Sequence, residues 1–236
     1  MILWLRSALF LAWFLIATTI LSLLFLPVLI LPRGATVWLA RLWSRITFFG
    51  LKIFAGIDWE IRGTPPQGAV LVASKHMSMW DTMALYLALN APATVLKREL
   101  LYIPFYGWFL WKATAIAIDR SAGASALRKM SNAAKAVLGE GRPILIFPEG
   151  TRKKPGAAPD YKPGVAGLYA MLGVVCVPVA LNSGRHWTGF RKRPGTIVLE
   201  FLDPIAPGMK RPAFMALLQE RIETATNRLL AHDGAE

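Results

Sequence analysis

The chain has 236 residues, a formal net charge of +13 and 55% hydrophobic residues. That length holds one large domain, or a domain with an anchor, and buries enough core to need no disulfide or metal staple. A chain this basic and this apolar points to anionic membrane lipids as a partner. Nucleic acid is not expected, because no basic run or readable nucleic-acid motif accompanies the charge. The single cysteine, Cys176, cannot form an internal disulfide, and no N-x-S/T sequon is present. Both features favour a reducing compartment.

The first element is apolar. Between Arg6 and Arg33 lies SALFLAWFLIATTILSLLFLPVLILP, without a charged residue. It is long enough to cross a bilayer as a helix, whereas Pro27 and Pro32 allow a re-entrant hairpin within one leaflet instead. It is too long for a signal-peptide core and lacks a clear cleavage site. Arg33, Arg41, Arg45 and Lys52 follow it, against Arg6 and the amino terminus before it. The bias towards positive charge on the inner side places the following domain in the cytoplasm, at the inner (cytoplasmic) membrane. The next segment, 35–56, is read as an amphipathic interfacial helix. Arg41, Arg45 and Lys52 share one face and Trp38, Leu42, Ile46 and Phe49 another. Residues 1–56 are thus expected to be membrane-anchoring helices and 57–236 an α/β domain.

Within that domain, short β-rich runs are predicted as strands at 58–63, 68–74, 93–97, 114–119, 142–147, 174–181 and 195–202. Helices are predicted at 81–90, 101–112, 126–140, 165–172 and 212–232. Strands interleaved with helices imply a mostly buried mixed sheet flanked by helices. The Lys-, Pro-, Gly- and Ala-rich stretch 151–163 is the expected flexible connection.

The chemistry is not that of the commonest motifs. There is no G-x-S-x-G elbow, no P-loop and no G-x-G-x-x-G after a strand. His76, His186 and His232 are scattered and Cys176 is alone, so no metal-ligand cluster and no metal is expected. The remaining pair is His76 and Asp81, within SKHMSMWD at the end of a predicted strand. Five residues apart they would diverge on one continuous helix, but in a strand–helix turn they can meet. Asp81 would then fix the imidazole tautomer and leave the other ring nitrogen as general base. The competing reading is a capping box, with Ser78 as N-cap and Asp81 closing backbone donors.

Three further segments bear on that choice. In LIFPEGTRKK, Gly150 permits close backbone approach and Arg152 offers a fork suited to phosphate. Glu149 would repel phosphate, so it is expected to accept from a hydroxyl or hold a cation; otherwise the segment is a solvated turn. Tyr102, Phe105, Tyr106 and Phe109 fall on a helical stripe, either core or the contact with an acyl chain or membrane. The run TAIAIDRS ends in Asp119–Arg120, and Arg120 is a second candidate phosphate ligand.

Together these blocks resemble the glycerophospholipid acyltransferase family, in particular its bacterial 1-acylglycerol-3-phosphate acyltransferases. His76-MSMW-Asp81 is similar to the family's His-x4-Asp motif. Lys97 to Leu100, Pro104, Gly107 and Asp119–Arg120 resemble its second block, Phe147 to Arg152 is its third unaltered, and Val177 to Ala180 resembles its fourth. Lys75 stands where the family often has Asn, and alanine replaces a glycine often found before the Asp–Arg pair.

The resemblance implies that His76, paired with Asp81, deprotonates the sn-2 hydroxyl of lysophosphatidic acid. The hydroxyl then attacks the thioester of acyl-CoA or acyl carrier protein to give phosphatidic acid. Arg120, Glu149, Gly150, Thr151 and Arg152 would form the glycerol-phosphate site. No cofactor is implied beyond the acyl-CoA or acyl-ACP co-substrate. Other lysolipid acceptors, such as a lyso-ornithine lipid, fit the same chemistry; a membrane-bound thioesterase or lipase, or a non-catalytic lipid-binding protein, are further readings.

Overall fold

The computed structural model describes residues 1–89, 91–119 and 123–232. Two helices open the chain, α1 (Ile2–Leu24) and α2 (Arg33–Gly50). They are joined by a 3₁₀ turn, Leu26–Ile30, with Pro27 in its first turn and Pro32 as the N-cap of α2. The prolines thus end one helix and start the next, as their fixed φ and missing N–H favour. Among the described residues α1 is the one helix long and apolar enough to cross a membrane.

The start of α1 and the turn that follows its end both meet the rest of the chain. Near its start, Ser7 Oγ accepts the Lys192 N–H at 2.9 Å and Arg6 Nε donates to Phe54 O at 3.0 Å. Trp4 lies 5.2 Å from the Phe190 ring, and Phe10 meets Trp187 edge-on at 5.3 Å. At the other end, Leu29 of the connecting turn lines a small cavity with Trp108 and Trp111. A 23-residue helix is about 34 Å long, so α1 lies along the flank of the body rather than projecting from it.

The α2 helix differs from its expected polarity. Arg41 does not share an outward face with Arg45 and Lys52: its guanidinium donates to Leu87 O and Leu89 O at 3.2 and 3.3 Å. These carbonyls end helix α3 (Trp80–Ala88), and a cation there satisfies orphan acceptors at the negative end of the dipole. Helical spacing alone did not reveal that a neighbouring helix end would draw Arg41 inward.

The seven predicted strands all form one mixed sheet. They are β1 (Ile57–Arg62), β2 (Leu71–Ser74), β3 (Ala93–Lys97), β4 (Ile116–Ile118), β5 (Ile144–Ile146), β6 (Cys176–Leu181) and β9 (Gly195–Phe201). Their spatial order is β1-β9-β6-β2-β5-β3-β4. Every pairing is parallel except β6 with β9. The central strands are near-continuous apolar runs, as parallel strands covered on both faces must be; β2 and β6 are buried at every residue. The helices α3, α5 (Gly123–Gly139), α6 (Gly164–Leu172) and α8 (Arg211–His232) cover the sheet. A short helix, α7 (Ser183–His186), leads into a hairpin of β7 (Trp187–Thr188) and β8 (Arg191–Lys192), which receives α1. The hairpin was not predicted, since two-residue strands carry no readable alternation.

One predicted helix is broken. Residues 101–112 divide into a 3₁₀ turn, Arg98–Tyr102, and α4 (Tyr106–Lys112). Pro104 is the cause: it disfavours helical backbone at Ile103, whose ψ is 119°. Phe105 then adopts a positive φ of 61°. Gly107 lets α4 fold back, because a methyl there would collide with the Leu101 carbonyl oxygen.

Candidate active site

Strands β6, β2 and β5 are parallel neighbours, so the chain leaves all three at one edge of the sheet. This is the edge where open α/β sheets place ligands. It brings together the turn after β2 (Lys75 to Met79), the turn after β5 (Phe147 to Arg152) and the residues after β6 (Asn182 and Ser183). Segments distant in sequence meet because their strands pair.

His76 Nδ1 lies 2.9 Å from Asp81 Oδ2. The same oxygen accepts the backbone N–H groups of Met77 and Ser78 at 2.7 and 2.8 Å. Oδ1 accepts Ser78 Oγ at 2.9 Å and also the Ser183 hydroxyl. Asp81 is fully buried. A buried carboxylate so supplied with donors is an acceptor only, so the proton of the 2.9 Å contact belongs on His76 Nδ1 and Nε2 carries the lone pair. The expected capping box does not form, since Met79 rather than Ser78 is the N-cap of the helix that starts at Trp80 and no side chain caps it. The Asp81 carboxylate still closes the Met77 and Ser78 N–H groups while it orients the ring. Ser183 had no sequence signal beyond its place after a buried strand.

The imidazole is held on its other sides too. Its ring stacks on Phe147 at 4.0 Å between centroids and 21° between planes. The His76 carbonyl accepts Lys153 N–H at 2.8 Å, and the His76 N–H donates to Glu149 Oε2 at 3.2 Å. The ring keeps 12% side-chain exposure and lines a cavity of about 1630 Å³.

Glu149 does not line that cavity. It is 1% exposed, and its Oε1 accepts Lys75 Nζ at 2.8 Å. Of the two roles expected for it, the structure displays the holding of a cation, and the cation is Lys75. Burial pushes its carboxyl above the ordinary value, opposed by the hydrogen bond from Lys75. The turn itself needs Gly150, whose φ is +66°. Gly150, Thr151 and Arg152 do line the cavity beside His76. No hydrogen bond or ion pair to Arg152 exists among the described residues, unlike Lys153 and Lys162, which both pair with Asp160. Arg120 lies outside the described residues.

The cavity runs from this edge between the α/β body and the helical pair. Phe14, Leu39 and Trp43 form its anchor side, and Met83, Val95 and Leu127 its body side. Phe105, Tyr106 and Phe109 of the aromatic stripe line it. Tyr102 does not: it is 70% exposed on the 3₁₀ turn, separated from the others by the Pro104 break. The protein around the Tyr106 phenol displaces enough water to raise it above its ordinary value, against the nearby Arg152 charge, although the residue is 43% exposed. The arrangement offers an imidazole oriented by a buried carboxylate, a guanidinium without an ion pair among the described residues, and a long apolar enclosure.

The acyltransferase family model matches residues 59–182, from β1 to the end of β6. The chain belongs to the acyltransferase family. This acyltransferase is 35% identical over 207 residues to the 1-acyl-sn-glycerol-3-phosphate acyltransferase of Pseudomonas aeruginosa, covering 86% of this chain and 80% of that one. It is 29% identical over 211 residues to the human 1-acyl-sn-glycerol-3-phosphate acyltransferase alpha, covering 85% and 74%. Its fold is similar to the crystal structure of the 1-acyl-sn-glycerophosphate acyltransferase PlsC from Thermotoga maritima, with a TM-score of 0.76 at 20% identity over 95% and 97% of the two chains. As an O-acyltransferase, this protein moves an acyl group onto a hydroxyl.

Proposed function

We propose that this acyltransferase acylates the sn-2 hydroxyl of 1-acyl-sn-glycerol-3-phosphate, giving phosphatidic acid for phospholipid synthesis, with acyl-CoA or acyl-ACP as donor. The observation that carries this reading is the His76 ring, held at 2.9 Å by the buried Asp81 carboxylate and opening on a largely apolar cavity beside Arg152. His76 Nε2 takes the hydroxyl proton as the oxygen attacks the thioester carbon. The tetrahedral intermediate then collapses, the C–S bond breaks, and the imidazolium returns its proton to the leaving thiolate. Asp81 stabilises the imidazolium while it exists. Arg152 would bind the acceptor phosphate, Gly150 and Thr151 would shape the turn around it, and the cavity would hold acyl chain.

The test is product formation from lysophosphatidic acid with each labelled donor in mixed micelles. Lyso-ornithine lipid and lysophosphatidylcholine serve as competing acceptors. Phosphatidic acid as the favoured product supports the reading. Acylation of a lyso-ornithine lipid in its place, or free fatty acid without acylated lipid, would refute it.

The same reading places the protein at the cytoplasmic face of the inner membrane, inserted in one leaflet. Support comes from α1, whose start bonds to the body at Lys192 and which is followed by a turn whose Leu29 lines a cavity with Trp108 and Trp111. Its outer residues are exposed apolar side chains such as Leu5, Ile16 and Leu24. A helix fixed along the body cannot cross the bilayer while the body stays in water. Cysteines introduced at Ile2 and Ile30 are expected to react with an impermeant maleimide from the same side of sealed vesicles. Native Cys176 will not interfere, because it is buried and its thiol is pushed up to about 12. Labelling from opposite sides would mean that α1 spans.

A further inference from the structure

Lys75 is 2% exposed, yet it carries an ammonium group. Its Nζ donates to Glu149 Oε1 at 2.8 Å and to Glu223 Oε1 at 2.7 Å. That Glu223 oxygen also accepts Tyr161 Oη–H at 2.9 Å. Glu223 sits on α8, 148 residues along the chain from Lys75 and outside the stretch matched by the family. The contacts form one line: Tyr161 to Glu223, Glu223 to Lys75, Lys75 to Glu149, and Glu149 Oε2 to the His76 N–H.

A buried ion triad is poor evidence of a contribution to stability, because apolar residues of similar volume often do as well or better. Its position suggests another role. The main chain of His76 is gripped on both sides by one turn, its N–H by Glu149 and its carbonyl by Lys153 N–H. Burial disfavours the charged form of Glu149, and the carboxylate of Glu223 disfavours it further, while Lys75 opposes both. Without the ammonium, two carboxylates would share one largely buried space. One would then take up a proton or move away.

We infer that Lys75 and Glu223 are positioning residues of the transfer step, fixing Glu149 so that the His76 imidazole meets the acceptor hydroxyl in a productive geometry. The C-terminal helix α8 thereby becomes part of the active centre. Their effect falls on kcat, because the line of contacts ends on the main chain of the base and not on a surface that lines the cavity. This inference rests on His76 being the base.

The experiment compares Lys75→Met, Glu223→Gln and the double variant in steady-state acyl transfer, with His76→Ala alongside. Lys75→Met is expected to lower kcat by about 30-fold with both KM values within about 3-fold, since a shift of about 1 Å in a reacting group costs on the order of 10²-fold. Glu223→Gln keeps an acceptor for Lys75 and Tyr161 but loses the charge that faces the ammonium, so its kcat is expected to fall by less than that of Lys75→Met. The double variant, with one facing carboxylate removed, should turn over at least about 3-fold faster than Lys75→Met, a recovery that lost packing would not produce. Lys75→Met at wild-type kcat, or a double variant no faster than Lys75→Met, overturns the inference. Should Lys75→Met fail to fold, Glu223→Ala decides. A kcat about 5-fold below that of Glu223→Gln at equal KM supports the role, and equal kcat values refute it. Wild-type turnover by His76→Ala would instead remove the base itself, a failure distinct from an inactive His76→Ala beside a fully active Lys75→Met.

Discussion

Asp81→Asn is expected to lower kcat by about 10²–10³-fold while leaving the fold and both KM values nearly unchanged. The reason lies in which atoms surround the carboxylate. Oδ2 faces three N–H donors, from the His76 ring, Met77 and Ser78, and these require an oxygen there. Oδ1 faces the hydroxyls of Ser78 and Ser183, which can rotate to accept from an amide NH₂. Asparagine therefore has one good orientation, in which its oxygen still accepts from His76 Nδ1 and the tautomer is kept. What disappears is the negative charge beside the imidazolium. A loss nearer 10⁴-fold is typical where the corresponding substitution also inverts the tautomer, so the smaller effect is itself diagnostic. Asp81→Ala is a different experiment. It strands several buried donors at about 1–3 kcal/mol each and tests folding before it tests chemistry. Steady-state kinetics and a thermal melt on both variants separate the two effects.

Arg152→Ala is expected to raise the KM for lysophosphatidic acid by about 10- to 100-fold with a much smaller change in kcat, the loss of one or two charge-assisted hydrogen bonds. Arg152 lines the cavity beside His76 and has no ion pair among the described residues to compensate for its removal. Its loss should therefore cost phosphate recognition and little stability. An acceptor without a phosphate monoester should show no such change, and the ratio of the two KM effects is the informative quantity. Equal losses of kcat for both acceptors, with KM unchanged, would instead place Arg152 in turnover itself.

The strand content of the body was legible because its central strands are short buried apolar runs bounded by Gly, Pro or charged turns. Their pairing was not legible, and pairing assembles the site. Nothing in the spacing of His76, Phe147 and Ser183 indicates that β6, β2 and β5 lie side by side. The His76–Asp81 contact could be anticipated, because a five-residue interval across a strand–helix turn allows it. The hydroxyl of Ser183 and the Lys75–Glu223 pair could not, since each depends on chain more than 100 residues away. The aromatic stripe failed at one identifiable residue, Pro104, whose effect on Ile103 takes Tyr102 out of the cavity wall. The inward turn of Arg41 had no local signal either, because its partners are main-chain carbonyls at the end of another helix.

The central claim is that His76 is the base that activates a lysophosphatidic acid hydroxyl. The most direct measurement follows labelled phosphatidic acid formed by wild type and His76→Ala, at equal concentration and with matched thermal stability. The expected result is product from wild type and a rate lower by at least about 10²-fold from the variant, the lower bound for loss of a positioned general base. Phosphatidic acid from both proteins at comparable rates would contradict it, and would leave the buried Asp81 as a turn-closing residue alone.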